Sequence, residues 1–99
     1  MVISTNILKI LADITGEPRF DFAIRQILKD AIEHRVERIE REIKQLEKKY
    51  EMKFEEFEKK FQKEEISNQY SYEIEKDYLE WEGLVGRLKK YQKLLESLA

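Results

Sequence analysis

The only histidine, His34, stands one helical turn after Asp30 and about one turn before Glu37. Helical residues three or four apart share a face, so these three side chains could converge on a metal ion. A di-metal helical bundle, however, draws on several inward carboxylates and paired histidines, and no second histidine exists here. His34 therefore reads as a solvent-facing residue on a charged helix. No serine or threonine has a histidine base at a recognisable spacing, and there is no glycine-rich phosphate loop. Adjacent carboxylates such as Glu55 and Glu56, or Glu64 and Glu65, are what any charged helix face carries. Without cysteine, neither a thiolate metal site nor a disulfide can form. No catalytic residue, metal site or cofactor is expected, and the chain reads as a non-enzyme.

The composition points the same way. Charged residues make up 40% of the 99 and hydrophobic ones 41%, with three glycines and one proline. Such proportions belong to long helices and coiled coils. Nineteen basic residues against 21 acidic leave a net charge of −2. A protein that grips nucleic acid through phosphates carries a basic surplus, so nucleic acid is not an expected partner. Apolar runs extend over two or three residues, too short to span a membrane. The start, MVISTNILKIL, lacks the basic flank and long apolar block of a signal peptide. A cytoplasmic protein is expected, and the wealth of Glu, Lys and Arg without Cys has a thermophile character.

Three helical segments must position these residues. The first carries Ile7, Leu8, Ile10, Leu11 and Ile14, with Thr5 or Asn6 as cap, and Gly16 and Pro18 stop it. Asp21 is the expected cap of the second. That helix is long, and Val36, Ile39, Ile43, Leu46 and Tyr50 form a heptad seam. The rhythm slips within residues 51–54, as an irregularity or a helix break, and resumes at Phe54, Phe57 and Phe61. After the turn-forming KEEISNQYSY stretch, Ser71 can cap a third helix whose seam is Ile74, Tyr78, Trp81, Val85 and Leu88. Acids crowd its start and bases its later turns, matching the helix dipole. Two heptad helices joined by a short connection fold back antiparallel. The expected ladder sets Phe61 near Ile74, Phe57 near Tyr78, Phe54 near Trp81, Tyr50 near Val85, Leu46 near Leu88 and Ile39 near Leu95. A break near residue 52 shifts these pairs by about a turn.

On this ladder the third helix runs out at Val36. Ile7, Leu8, Leu11 and Ile14, with Phe20, Phe22, Ile24, Ile27 and Leu28, are then left to make a thin core of their own. Large apolar side chains left wet mark an interface. Residues 1–35 are accordingly the expected assembly or docking segment, and residues 36–99 the antiparallel hairpin. Gly83 and Gly86 lie close together on one helix and are candidates for partner contact, another helix or a loop approaching closely there, against the plainer reading of a solvated face. Trp81, Tyr78, Phe57 and Phe61 read as core. Tyr70 and Tyr72, off the seam, are candidates for partner contact. Residues 19–38, with Val2–Ser4 as a strand, could imitate a ribbon–helix–helix DNA-binding unit, but MVIST offers a base-reading strand nothing polar or basic in alternation.

Across residues 43–98, KKYEMKFEEFEKKF followed by DYLEWEGLVGRLKKYQKLLESL resembles small charged helical antitoxins of the TumA type, encoded beside a toxin gene. Tyr50, Met52, Phe54, Phe57, Trp81, Leu84 and Leu88 carry the resemblance, and Glu51 stands where glycine would be expected for a turn. The resemblance implies a protein that neutralises a small toxin by burying it against a helical face. The expectation is thus an all-α chain in a single domain, a short helix followed by a long coiled-coil-like hairpin, dimeric, and acting by protein–protein contact. A DNA-binding regulator and a coiled-coil chaperone or scaffold are the alternatives.

Overall fold

Ser4 opens the first helix, α1 (Thr5–Thr15), by accepting the Ile7 N–H on its hydroxyl at 3.2 Å. The cap is one residue earlier than Thr5, because Ser4 is the last residue with extended backbone (φ −65°, ψ 150°). Gly16 closes the helix in the left-handed region at φ 70°, its N–H donating to the Ala12 carbonyl. In this computed structural model, which describes residues 2–99, three further helices follow: α2 (Phe20–Tyr50), α3 (Phe54–Gln62) and α4 (Tyr72–Leu98). Among the described residues there is no strand, and residues 2–4 run into α1 as irregular chain. The all-α expectation holds.

Asp21 does not cap α2. The capping position is Arg19, with no side-chain cap, and Asp21 sits in the first turn. Glu17 takes over part of the task from outside the helix. Its carboxylate accepts the Arg19 backbone N–H at 2.9 Å and the guanidinium at 2.8 Å. Those hydrogen bonds hold the Glu17 carboxyl down to about 2. Pro18, between them, cannot donate, so a carboxylate reaching past it is the nearest available acceptor.

The rhythm slip near residue 52 is a true break. α2 ends at Tyr50, and Glu51 adopts a left-handed conformation at φ 56°, with its N–H on the Glu47 carbonyl. Met52 N–H reaches the same carbonyl at 3.2 Å. This is a left-handed helix C-terminus built without glycine. Lys53 then restarts the chain, and α3 presents Phe54 and Phe57 to α4.

α2 and α4 lie antiparallel, and the molecule measures 58 × 25 × 23 Å. On the α3 side Phe54 faces Trp81 at 5.5 Å as expected, but Phe57 lies nearer Trp81 (5.1 Å) than Tyr78 (6.0 Å), and Phe61 packs on Tyr78 at 4.4 Å between ring centroids. Across the break the register moves by one turn. Tyr50 stacks on Trp81 at 5.8 Å instead of meeting Val85. Leu46 shares a cleft with Leu84, and Ile39 shares one with Tyr91. The seam of α4 also follows a neighbouring row. Asp77, Trp81 and Leu84 are its buried residues, whereas Tyr78 and Val85 are half-buried.

Trp81 and Phe57 are fully buried, and with Phe54 they form the core, ringed by Ile43, Leu46, Tyr50, Phe61, Tyr78 and Val85 among others. Offset and tilted aromatic pairs of this kind add roughly 0.5–1.5 kcal/mol each beyond area burial. Residues 63–71 close the hairpin. Buried Gln69 pins them, donating its amide to the Phe61 carbonyl at 2.8 Å and accepting the Ile66 N–H at 3.3 Å. Ser71 caps α4 as expected, accepting the Ile74 N–H. Glu73 and Glu75 fill its first turn, but its basic residues stop short of the last turn.

Candidate functional site

α1 is amphipathic by sequence, yet none of its residues is buried. Ile7, Leu8, Ile10 and Ile14 are exposed, Ile14 to 66%. At the start of α2, Phe22 is 54% exposed and Leu28 is exposed too. Leu11, Phe20, Ile24 and Ile27 are half-buried. Of these stretches Ala23 alone is fully covered, and α1 packs on α2 with most of its large side chains in solvent. Arg19 places its guanidinium 3.9 Å from the centroid of the Phe22 ring, covering one face of it. All nine residues expected to form an assembly surface thus remain wholly or partly accessible.

Tyr70 and Tyr72 are exposed at the hairpin tip, Tyr72 to 82%. The Tyr70 hydroxyl donates to the Glu64 carboxylate, which pushes the phenol above its ordinary range. Gly83 and Gly86 meet no close approach from within the described chain. Nothing lies within 4 Å of a Cβ built at either, so no other part of this chain comes near them. Both sit on the solvent side of α4.

One polar cluster was missed in the sequence. Asp77, buried in the α4 seam, accepts hydrogen bonds from the Lys49 ammonium at 2.6 Å and the Tyr50 hydroxyl. Glu73 takes a second bond from Lys49 at 2.7 Å. Burial alone would raise the Asp77 carboxyl, but the Lys49 and Tyr50 bonds outweigh it and hold the group below its ordinary range. Tyr50 is pushed up, first by burial and then by the Asp77 carboxylate, and Lys49 is raised by its bonds to Asp77 and Glu73. The signal was present: Asp77 stands three residues after Ile74 and four before Trp81, a seam position. The arrangement ties α4 to α2, and Lys49 and Asp77 also line an open cleft with Glu42, Leu46, Glu80 and Leu84.

His34 is exposed, and Asp30 beside it accepts from Gln26 at 2.8 Å. Among the described residues no group of three His, Cys, Asp or Glu side chains is placed to hold a metal ion. No helix among them is long and apolar enough to cross a membrane. Beyond the geometry, comparison with curated proteins and with solved structures finds no match for this chain. A family profile does match, over residues 7–99, a span that starts inside α1 and takes in all of α2, α3 and α4; on that match the chain belongs to the Uncharacterized protein MJ0235 family.

Proposed function

We propose that this protein works by binding another protein chain through the apolar surface made by α1 and the start of α2. One observation carries the reading: Ile7, Leu8, Ile10, Ile14, Phe22 and Leu28 are all exposed within residues 7–28. Covering each such side chain is worth roughly 1.5–3 kcal/mol, so a partner that buries several of them gains the core of an interface. Apolar anchors at the centre with charges at the rim are the usual anatomy of a protein–protein contact.

A second copy of the chain is the first occupant in this reading, giving a dimer in the cytoplasm. The finer proposal, drawn from the resemblance over residues 43–98, is an antitoxin that occludes a small cognate toxin without chemistry of its own. A reading frame for a small toxin beside this gene, co-expressed with it, tests the proposal. Growth should be restored by the wild type and not by Ile14→Glu combined with Phe22→Glu, while hydrogen exchange over residues 5–28 slows in the complex. Rescue by both forms, or exchange unchanged across that segment, would overturn the surface assignment. A salt-sensitive gel shift with promoter DNA would favour a transcription regulator instead. Suppression of aggregation lost on truncating residues 63–71 would favour a chaperone.

A further inference from the structure

Arg35 and Arg38 of α2 and Arg87 of α4 line one cleft of about 330 Å³, with Ile39, Glu42 and Tyr91 completing its walls. Elsewhere this chain answers charges at helical spacing, as in the Glu56–Lys60 and Lys76–Glu80 pairs. Here it does not. Arg35 has Ala31, Ile32, Arg38 and Ile39 at three and four residues, and Arg87 has Gly83, Leu84, Lys90 and Tyr91. Neither sequence neighbourhood supplies an acid. Folding supplies none either, for among the described residues no ion pair involves Arg35, Arg38 or Arg87. Only Glu42 brings a carboxylate to the cleft, so three positive charges face one negative charge.

Guanidiniums gathered from two helices around one hollow raise its local positive potential and favour an anion there. A guanidinium presents a planar fork of donors that matches a phosphoryl group in bidentate fashion. The hollow is also larger than one phosphoryl group and falls within the roughly 300–1,000 Å³ of small-molecule sites. The lining is mostly polar, with half-buried Tyr91 as its aromatic edge and Ile39 buried beneath it. We propose that this cleft binds a small phosphomonoester, its phosphoryl group between the three guanidiniums and its organic part against Tyr91. The site uses none of the residues 7–28 and stands independently of the protein-binding reading.

Nuclear magnetic resonance titration of the full chain tests it, with inorganic phosphate and phenyl phosphate as probes at about 50 mM salt, where screening is modest. Arginine Nε–H signals of Arg35, Arg38 and Arg87 should move saturably. Phenyl phosphate should bind with a dissociation constant below about 1 mM and more tightly than inorganic phosphate. Arg87→Ala should weaken it about tenfold or more, Arg87→Lys should fail to restore it because an ammonium lacks the fork, and Arg25→Ala should leave it unchanged. Non-saturating shifts in the wild type overturn the site without recourse to any variant. Equal affinity for the two probes overturns the monoester assignment. Binding confined to a nucleic-acid oligomer or an acidic peptide overturns a small-molecule site.

Discussion

At the scale of single residues, the one carboxylate buried among the described residues decides most. Asp77 is held by Lys49 and Tyr50 from α2, so it ties α4 to α2 at one register only. Asp77→Ala leaves the half-buried Tyr50 hydroxyl without its acceptor, and a loss of about 1–3 kcal/mol is expected, read as a lower urea midpoint at unchanged slope. The pH dependence follows from the shifts. Asp77 is lowered from its ordinary 3.8, so its stabilisation is present above that value and is lost as pH falls through the folded one. Tyr50 and Lys49 are raised from 10.0 and 10.5, so their share is complete below those values and fades as pH rises beyond them. A urea midpoint that is level near neutrality and falls below about pH 4 and above about pH 10 is expected. Asp77→Asn should make the acid limb shallower. An acid limb identical to that of the wild type would mean the carboxylate is unbonded in solution. Sequence alone hid this residue because a charged side chain at a seam position is discounted unless its partners, 27 and 28 residues away, are known.

At the scale of elements, the apolar rows of α2, α3 and α4 were legible, and so were the aromatic core and the hairpin. What was not legible was how far each row turns about its axis. Tyr78 and Val85 border the true seam of Trp81 and Leu84, so either row satisfies a heptad count. The one-turn shift in pairing came from Glu51, which takes a left-handed backbone although it is not glycine. The α1 cap and the α2 start moved for similarly local reasons, Ser4 and Glu17 being nearer at hand than the expected residues. Gly83 and Gly86 pose a sharper question about α4. Each costs roughly 1 kcal/mol against alanine in a helix interior, and an added Cβ meets nothing at either. Gly83→Ala with Gly86→Ala should therefore stabilise the free protein by about 1–2 kcal/mol, seen as a higher melting temperature. A lower melting temperature would show that the open face of α4 is covered in solution by something absent from a single chain.

At the scale of the whole molecule, the densest run of exposed aliphatic side chains and the acidic surplus lie at different places. Residues 51–82, around the hairpin tip, hold eleven acids against five bases, whereas residues 83–99 hold four bases against one acid. The exposed apolar side chains of α1 and early α2 sit at the end remote from the 63–71 connection. Contact through the acidic tip would be weakened by salt, since exposed charges are screened beyond about 8–10 Å at moderate ionic strength. Contact through Ile14 and Phe22 would not, because apolar burial does not depend on counter-ions. Self-association through the apolar end predicts a solution mass of twice 12.1 kDa that persists in high salt. Ile14→Glu with Phe22→Glu should return the mass to a single chain with helix content unchanged, since both side chains are exposed in the folded protein. Light scattering at two salt concentrations reads this directly. A dimer that dissolves in salt and survives the double substitution would move the interface to the charged hairpin. A wild type that stays monomeric at every concentration would leave the apolar end to a different protein.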